Sequence, residues 1–210
     1  MKIALAIAGL LFATTAVSSQ AWAAPAQRLP NIPAARLNAE QKQALADYKA
    51  ARGLEMTQGP FMPMLYSPGA MAAARAAGDY FRFKSSIGPK LTEFIALLVA
   101  REWSADYEWS AHAGEAEKFD ITPAMIEAMR VGRRPDAMNP DQTIAYDFVA
   151  ELNHNKQVSD VTFEKARARF GEKGVIDITG IVGYYTLLAM QLNVAQTPPS
   201  GPAPRLPRLP

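Results

Sequence analysis

Apolar residues recur at helical spacing along most of this chain, in segments that end at Gly or Pro. From Gly88 to Glu102 one such face contains Leu91, Phe94, Ile95, Leu98 and Val99. No segment shows the alternating pattern of a half-buried strand. The sequence therefore predicts an all-α fold, with helices over residues 39–52, 70–83, 88–102, 123–131, 141–152, 160–170 and 175–192, and one more that begins after Ser104.

Residues that flank these helices predict where they begin and end. Asn38 and Ser104 are expected N-caps, because short polar side chains accept hydrogen bonds from the first turn. Gly53 and Gly132 are expected C-terminal stops, since glycine readily adopts the left-handed conformation that ends a helix. The Gly- and Pro-containing stretch 59–69 is expected to be a loop.

The first 24 residues have the order of a secretory signal peptide. Lys2 is followed by an apolar run from Ile3 to Val17 and then by small residues, with cleavage expected after Ala23 or Ala24. The protein is therefore expected in the periplasm or secreted, with no membrane attachment after cleavage. The rest of the chain is predicted to contain an extended arm (25–38), a helical domain (39–196) and a Pro-rich disordered tail (197–210). The composition of the apolar stretch 178–192 favours a buried helix over a membrane span.

Composition limits the classes of function. After loss of Lys2 the formal charge falls from +2 to +1, so no nucleic-acid partner is expected. The chain has no cysteine, which excludes disulfides and thiol chemistry. Gly-rich phosphate loops and nucleophile elbows are also absent from the sequence.

The stretch Arg101 to Ala116 contains the strongest site candidate. Glu108 and His112, one of two histidines, are four residues apart, so they share one face of a helix. A carboxylate beside an imidazole fixes its tautomer and raises its pKa, which suits proton transfer near neutral pH. His154, the other histidine, ends a polar helix and is expected to be exposed.

Three separated motifs resemble a known family. They are ARxWxxxYEWxxHxxxA at residues 100–116, GRRP at 132–135 and GYYTLLAMQLN at 183–193. Together they resemble the carboxymuconolactone decarboxylase family, within the superfamily shared with alkyl hydroperoxidase D. The resemblance implies an all-helical, alkyl hydroperoxidase D-like fold that assembles as homo-trimers or hexamers.

The resemblance also implies which residues form the site. In the peroxidase branch a glutamate, two cysteines and a histidine act together; here Glu93 matches the glutamate and His112 the histidine, while Ala105 and Glu108 occupy the cysteine positions. Neither can be oxidised as a thiolate is, so a thiol peroxidase is excluded. A metal is not expected either, because only one histidine is well placed.

The decarboxylase branch requires a proton donor and a stabilised oxyanion, and no cofactor. His112 is the expected donor, Glu108 orients or charges it, and Glu93 is a second acid or base. Arg101 is the expected clamp for a substrate carboxylate, because a guanidinium binds one bidentately. Tyr107 and Trp109 are the expected walls of the pocket.

Several alternatives remain open at this stage. Arg101 is also favoured by the dipole at a helix C-terminus, and aromatic residues at helical spacing are usually core. A small carboxylated or lactone-type substrate is also compatible with hydrolysis or isomerisation. A binding protein, in which Glu108 and His112 form a buried structural pair, is the third possibility.

Overall fold

The computed structural model describes residues 26–199 and 205–207. The proposed signal peptide lies outside them. The described residues contain no strand, and the all-helical prediction is confirmed. The helices are α1 (Ala39–Arg52), α2 (Phe61–Met64), α3 (Pro68–Phe81), α4 (Gly88–Glu102), α5 (Asp106–Ala113), α6 (Pro123–Arg130), α7 (Pro140–Asn155) and α8 (Asp160–Ala195), with short 3-10 helices at Ala34–Arg36 and Ala116–Phe119.

Helix α4 lies at the centre of the protein. It packs against α5, α6, α7 and α8, and its fully buried side chains include Phe94, Ile95 and Leu97. Helix α8 packs against α3, α4, α5 and α7, so these two helices share most of the core. The segments that carry Glu93, His112 and the motif at 183–193 are thereby brought side by side.

Most of the expected helix ends are confirmed. Asn38 caps α1 through a capping box with Gln41, and Gly53 ends it at φ 71°. Thr122 caps α6 and Gly132 follows it at φ 72°. The two helices expected on either side of residue 171 form α8, which is interrupted where Gly171 adopts φ 69° and ψ 175°.

Two local predictions are wrong. Ser104 does not cap α5: it has φ 44°, and the N-cap is Ala105, whose side chain offers no acceptor. Ser104 lies in the short connection between the end of α4 at Glu102 and the start of α5 at Asp106, where its positive φ turns the chain. The stretch 59–69 is also not entirely a loop, since α2 lies within it and α3 begins at Pro68, with proline in the first turn.

Both ends of the described chain contact the helical body. In the arm, Arg28 donates its backbone N–H to the carbonyl of Ala195, and Tyr66 donates its hydroxyl to the carbonyl of Pro30. In the tail, which the sequence predicts to be disordered, Leu206 is 9% exposed and packs into the core cluster. By length and composition α8 could cross a membrane, but more than half of its most apolar window is buried, as in a core helix.

Candidate acid–base site

His112 lies between two glutamates. It sits in the last turn of α5, where Nε2 is 3.3 Å from Oε2 of Glu108, one turn earlier on the same helix. Nδ1 is hydrogen-bonded to Oε2 of Glu93 on α4. The structure therefore unites His112, Glu108 and Glu93, the three residues predicted to carry proton-transfer chemistry.

Arg82 and a pair of tyrosines complete this group, which we call the acid–base cluster: Arg82, Glu93, Glu108, His112, Tyr184 and Tyr185. Nη2 of Arg82, just after α3, is 3.6 Å from Oε1 of Glu93. The ring of Tyr185 meets the His112 ring edge-on, with centroids 5.1 Å apart. Tyr184 lies against Tyr185, with centroids 5.2 Å apart.

Burial and charge set the protonation states. Burial alone would lower the pKa of His112, which is 7% exposed, but hydrogen bonds to Glu108 and Glu93 and their charges raise it to about 9. Burial would raise the pKa of Glu93, but its hydrogen bond to His112, the charge of His112 and Arg82 lower it. At neutral pH the cluster therefore holds an imidazolium beside an ionised Glu93.

The tyrosines stay protonated under the same conditions. Burial raises the pKa of Tyr184 to about 12 and that of Tyr185 well above its usual range. Burial would lower the pKa of Arg82, but nearby Tyr185 and the glutamates raise it. The cluster therefore offers hydroxyl and guanidinium donors that do not titrate in the physiological range.

Three buried polar atoms of the cluster have no hydrogen-bond partner among the described residues: Nε of Arg82, Oε1 of Glu108 and the hydroxyl of Tyr185. Buried polar groups are nearly always paired with protein, water or ligand, since an unpaired one costs roughly 1–3 kcal/mol. Two of these atoms belong to donors and one is an acceptor. A ligand that paired with all three atoms would need both acceptor and donor groups.

The other predicted site residues lie elsewhere. Nη1 of Arg101 donates to the carbonyl of Pro207 at 2.9 Å and Nη2 to Oγ of Ser104 at 3.4 Å. Trp109 is fully buried in the core, and Tyr107 lines a surface cavity with Trp103 and Asn193. None of their described contacts is with His112, so the roles assigned to Arg101, Tyr107 and Trp109 stay predictions.

Arg82 and both tyrosines were not predicted as site residues. Arg82 follows the end of α3 and lies 30 positions from His112, so no spacing rule connects them. Tyr184 and Tyr185 are two adjacent hydroxyl-bearing rings within the apolar stretch 178–192, and a buried tyrosine hydroxyl usually has a hydrogen-bond partner.

Within residues 26–199 and 205–207, no group of three histidine, aspartate or glutamate side chains is arranged to hold a metal ion. The arrangement at His112 is instead suited to proton exchange. One imidazole connects two carboxylates that belong to different helices. Arg82 lies beside Glu93 and Tyr185 beside His112, and both keep their protons at neutral pH.

Comparison with known proteins identifies the fold. No protein-family profile and no curated protein matches the sequence. Among solved structures, an uncharacterised peroxidase-related protein with an alkylhydroperoxidase AhpD core from Ralstonia eutropha JMP134 is similar at a TM-score of 0.67 and 19% identity, covering 85% of this chain and 94% of its own. An uncharacterised peroxidase-related protein from Silicibacter sp. TM1040 is similar at a TM-score of 0.65 and 18% identity, covering 82% of this chain and 90% of its own. The chain therefore has the alkyl hydroperoxidase D-like helical fold.

Proposed function

We propose that this protein is a carboxymuconolactone decarboxylase-like enzyme that acts on a small carboxylated or lactone-type molecule by acid–base chemistry, without a cofactor. The observation that carries this proposal is the buried His112, with one ring nitrogen facing Glu93 and the other facing Glu108. Thiol peroxidase chemistry is excluded because the sequence has no cysteine.

In this proposal His112 holds the proton that is transferred to the substrate. Because the pKa of His112 is about 9, its imidazole carries a proton at neutral pH and serves as a general acid. Glu93, held by the Nδ1 bond and by Arg82, fixes the ring and balances its charge. Glu108 has one oxygen toward Nε2 and the other unpaired, so it can relay the proton to a substrate.

Arg82 and Tyr185 supply the groups that bind the substrate anion. Both have a buried donor without a hydrogen-bond partner among the described residues, and both keep their protons at neutral pH. Fixed donors in a water-poor site stabilise negative charge strongly. In this role Arg82 replaces Arg101, the expected clamp, whose guanidinium donates to the carbonyl of Pro207 instead.

The reaction then balances as follows. The C–C bond to the substrate carboxylate breaks, CO₂ leaves, and the electron pair stays on the carbon and spreads into the adjacent carbonyl. Tyr185 donates to the resulting oxyanion, while Arg82 holds the substrate through its carboxylate until CO₂ leaves. The proton held by His112 moves to the carbon, directly or through Glu108, and water returns a proton to the imidazole.

Lactone hydrolysis or isomerisation is the second candidate reaction. It is favoured by the unpaired Oε1 of Glu108, which is free to accept a proton from water or from a carbon acid. Carbon dioxide release distinguishes decarboxylation from both alternatives.

The test is a substrate screen with purified protein that lacks residues 1–24, against carboxylated lactones and small aromatic acids, with detection of CO₂ and of product mass. The variant is His112→Gln, and the matched control is His154→Gln, which changes the exposed histidine on α7. We expect a compound that wild type and His154→Gln convert with CO₂ release and that His112→Gln does not. Conversion that survives in a folded His112→Gln, or no conversion at all, contradicts the proposal, and the latter favours the binding-protein alternative.

We also propose that the protein is a homo-oligomer, a trimer or a hexamer as the resemblance implies. On α8, Ile176, Gly183, Leu187, Met190 and Val194 are exposed and recur at intervals of seven, four, three and four residues. Such an apolar seam is typical of a helix that packs against a partner. Light scattering should give an oligomeric mass that Leu187→Glu lowers and that Val161→Glu, an exposed position early in α8, does not; a monomeric wild type contradicts this.

Export is the remaining part of the proposal, and it rests on the order of charged, apolar and small residues in the first 24. Expression of the full chain in a Gram-negative host should release a mature protein that begins at Ala24 or Pro25. N-terminal sequencing of the periplasmic fraction checks this. An intact Met1 in the cytoplasmic fraction contradicts it.

A further inference from the structure

The tail residues Arg205 to Pro207 lie against the corner between α4 and α5. The backbone N–H of Leu206 donates to Oδ1 of Asp106 at 2.9 Å, and Nη1 of Arg101 donates to the carbonyl of Pro207 at 2.9 Å. The Leu206 side chain is buried and packs with the core cluster. One leucine is thus held by a backbone bond on each side and by an apolar contact between them.

Arg101 has the properties of a peptide-binding residue here. It is 5% exposed, and none of its described hydrogen bonds is with a carboxylate. A peptide carbonyl and the Ser104 hydroxyl are its acceptors instead. A buried guanidinium requires such acceptors, because removing it from water without them is costly.

Arg101 and Asp106 together also select one direction of the bound peptide. Asp106 accepts from an N–H and Arg101 donates to the carbonyl one residue later, so an extended peptide fits in only one orientation. Proline after the leucine restricts that leucine to extended conformations and lowers the entropy lost on docking. Recognition of an extended, proline-containing segment through backbone bonds and one apolar side chain is a common peptide-binding mode.

The sequence repeats the docked triplet. Arg-Leu-Pro occurs at residues 28–30, at 205–207 and again immediately afterwards at 208–210. The two C-terminal triplets have the same leucine followed by the same proline. The tail therefore contains the docked sequence twice.

We propose that Arg101 and Asp106 form a binding site for extended Arg-Leu-Pro peptides, and that its resident ligand is the C-terminal tail of the same chain. This inference is independent of the acid–base cluster, because neither residue contacts His112, Glu93 or Glu108 in the described hydrogen bonds.

The test uses the full-length chain with the tail released by Leu206→Asp together with Leu209→Asp. A fluorescent peptide of residues 202–210 is titrated and followed by anisotropy. We expect saturable one-to-one binding to this double variant, binding at least about tenfold weaker to wild type, whose own tail competes, and at least about tenfold weaker to the double variant that also carries Arg101→Met. A control peptide with both leucines replaced by Asp should not bind.

Two results overturn the proposal. One is no peptide binding to a double variant that retains its helical circular dichroism and melts cooperatively. The other is equal binding of the control peptide, which would indicate nonspecific attraction. If the double variant does not fold, hydrogen exchange on wild type decides: the Leu206 amide should be protected at least about tenfold over the free peptide, equally at low and high protein concentration, and should lose that protection in Arg101→Met. Unprotected exchange in wild type, or protection that depends on concentration, contradicts an intramolecular tail site.

Discussion

The imidazole of His112 and the carboxylate of Glu93 are 19 positions apart in sequence, yet a hydrogen bond joins them across the interface of α5 and α4. On its other side the same ring faces Glu108. The charged form of His112 therefore contributes to the stability of the interface as well as to the proposed chemistry.

This relationship predicts a specific pH dependence of stability. The pKa of His112 rises from 6.5 to about 9 on folding, so its contribution is fully present below pH 6.5 and is lost as the pH rises through 9. The free energy of unfolding should fall by up to about 3 kcal/mol over that window. Urea denaturation between pH 6 and pH 9.5 measures it.

The controls for this experiment are His112→Gln and His154→Gln. In His112→Gln the free energy of unfolding should lose most of its dependence on pH. In His154→Gln this dependence should remain, because His154 is exposed. Equal slopes in all three proteins would show that other groups cause the dependence.

Arg82 should matter for binding the substrate anion. We expect Arg82→Gln to raise KM for the substrate found in the screen by at least about tenfold, because a charge-assisted donor near the site is lost. Arg167→Gln, which removes an exposed guanidinium paired with Glu164 on α8, is the matched control and should leave KM unchanged. Steady-state kinetics checks both; an unchanged KM in Arg82→Gln contradicts the assignment.

Gly78 provides a close approach between α3 and α8. A Cβ at this position would lie 2.3 Å from the hydroxyl oxygen and 2.7 Å from Cζ of Tyr184. We expect Gly78→Ala to destabilise the protein by about 1–3 kcal/mol, because the tyrosine must move. Thermal unfolding measures the change.

Gly69→Ala is the matched control on the same helix. Nothing lies within 4 Å of a Cβ at position 69, so this change should be neutral or stabilise by up to about 1 kcal/mol. If both variants lose equal stability, contact with Tyr184 is not the cause.

Asp177 on α8 forms hydrogen bonds with the segment that follows Arg82. It is 2% exposed and accepts hydrogen bonds from the backbone N–H and hydroxyl of Ser86, at 2.7 and 2.6 Å, and from Tyr80 and Lys173, at 3.0 and 3.1 Å. Burial would raise its pKa, but the Ser86 bonds and Lys173 lower it. Asp177→Asn should therefore cost about 2–4 kcal/mol at pH 7, because an amide nitrogen faces donors.

The stability that Asp177 contributes depends on pH with the opposite sign to the stability that His112 contributes. The contribution of Asp177 is present above its unfolded pKa of 3.8 and is lost as the pH falls through its lower folded value. The difference in free energy of unfolding between wild type and Asp177→Asn should therefore become smaller in strong acid. Asp141→Asn, which changes a surface ion pair with Arg169, should cost less than about 1 kcal/mol at pH 7; an equal cost would contradict the buried-carboxylate argument.

Peroxide assays should be negative. Because the chain has no cysteine, we expect no consumption of hydrogen peroxide or an organic hydroperoxide above the buffer rate in the presence of dithiothreitol. Measured consumption that is lost in His112→Gln would indicate a non-thiol peroxide chemistry and contradict the proposed reaction class.

Sequence was sufficient for the helices and for part of the cluster. Helical periodicity and capping residues are local signals, and they located α1, α4 and α6 closely. The pairing of Glu108 with His112 is local as well, because both lie on α5. Glu93 was predicted only through the family resemblance.

The remaining features depend on tertiary packing. Arg82 reaches Glu93 because α3 ends beside α4, and Tyr185 reaches His112 because α8 crosses α5. Arg101 turns toward the tail, which no pattern near residue 101 could reveal. Ser104 is another example, because serine is a favourable N-cap residue, yet its backbone conformation is set by the connection between α4 and α5.

Glu108 stands where the resemblance places a cysteine, and its carboxylate faces the imidazole of His112. A thiol pair at such a position stores electrons and must be recharged by a reducing partner after each cycle. A carboxylate stores none. The proposed acid–base chemistry therefore needs no electron supply, and the proposal predicts turnover in a compartment that holds no reductant.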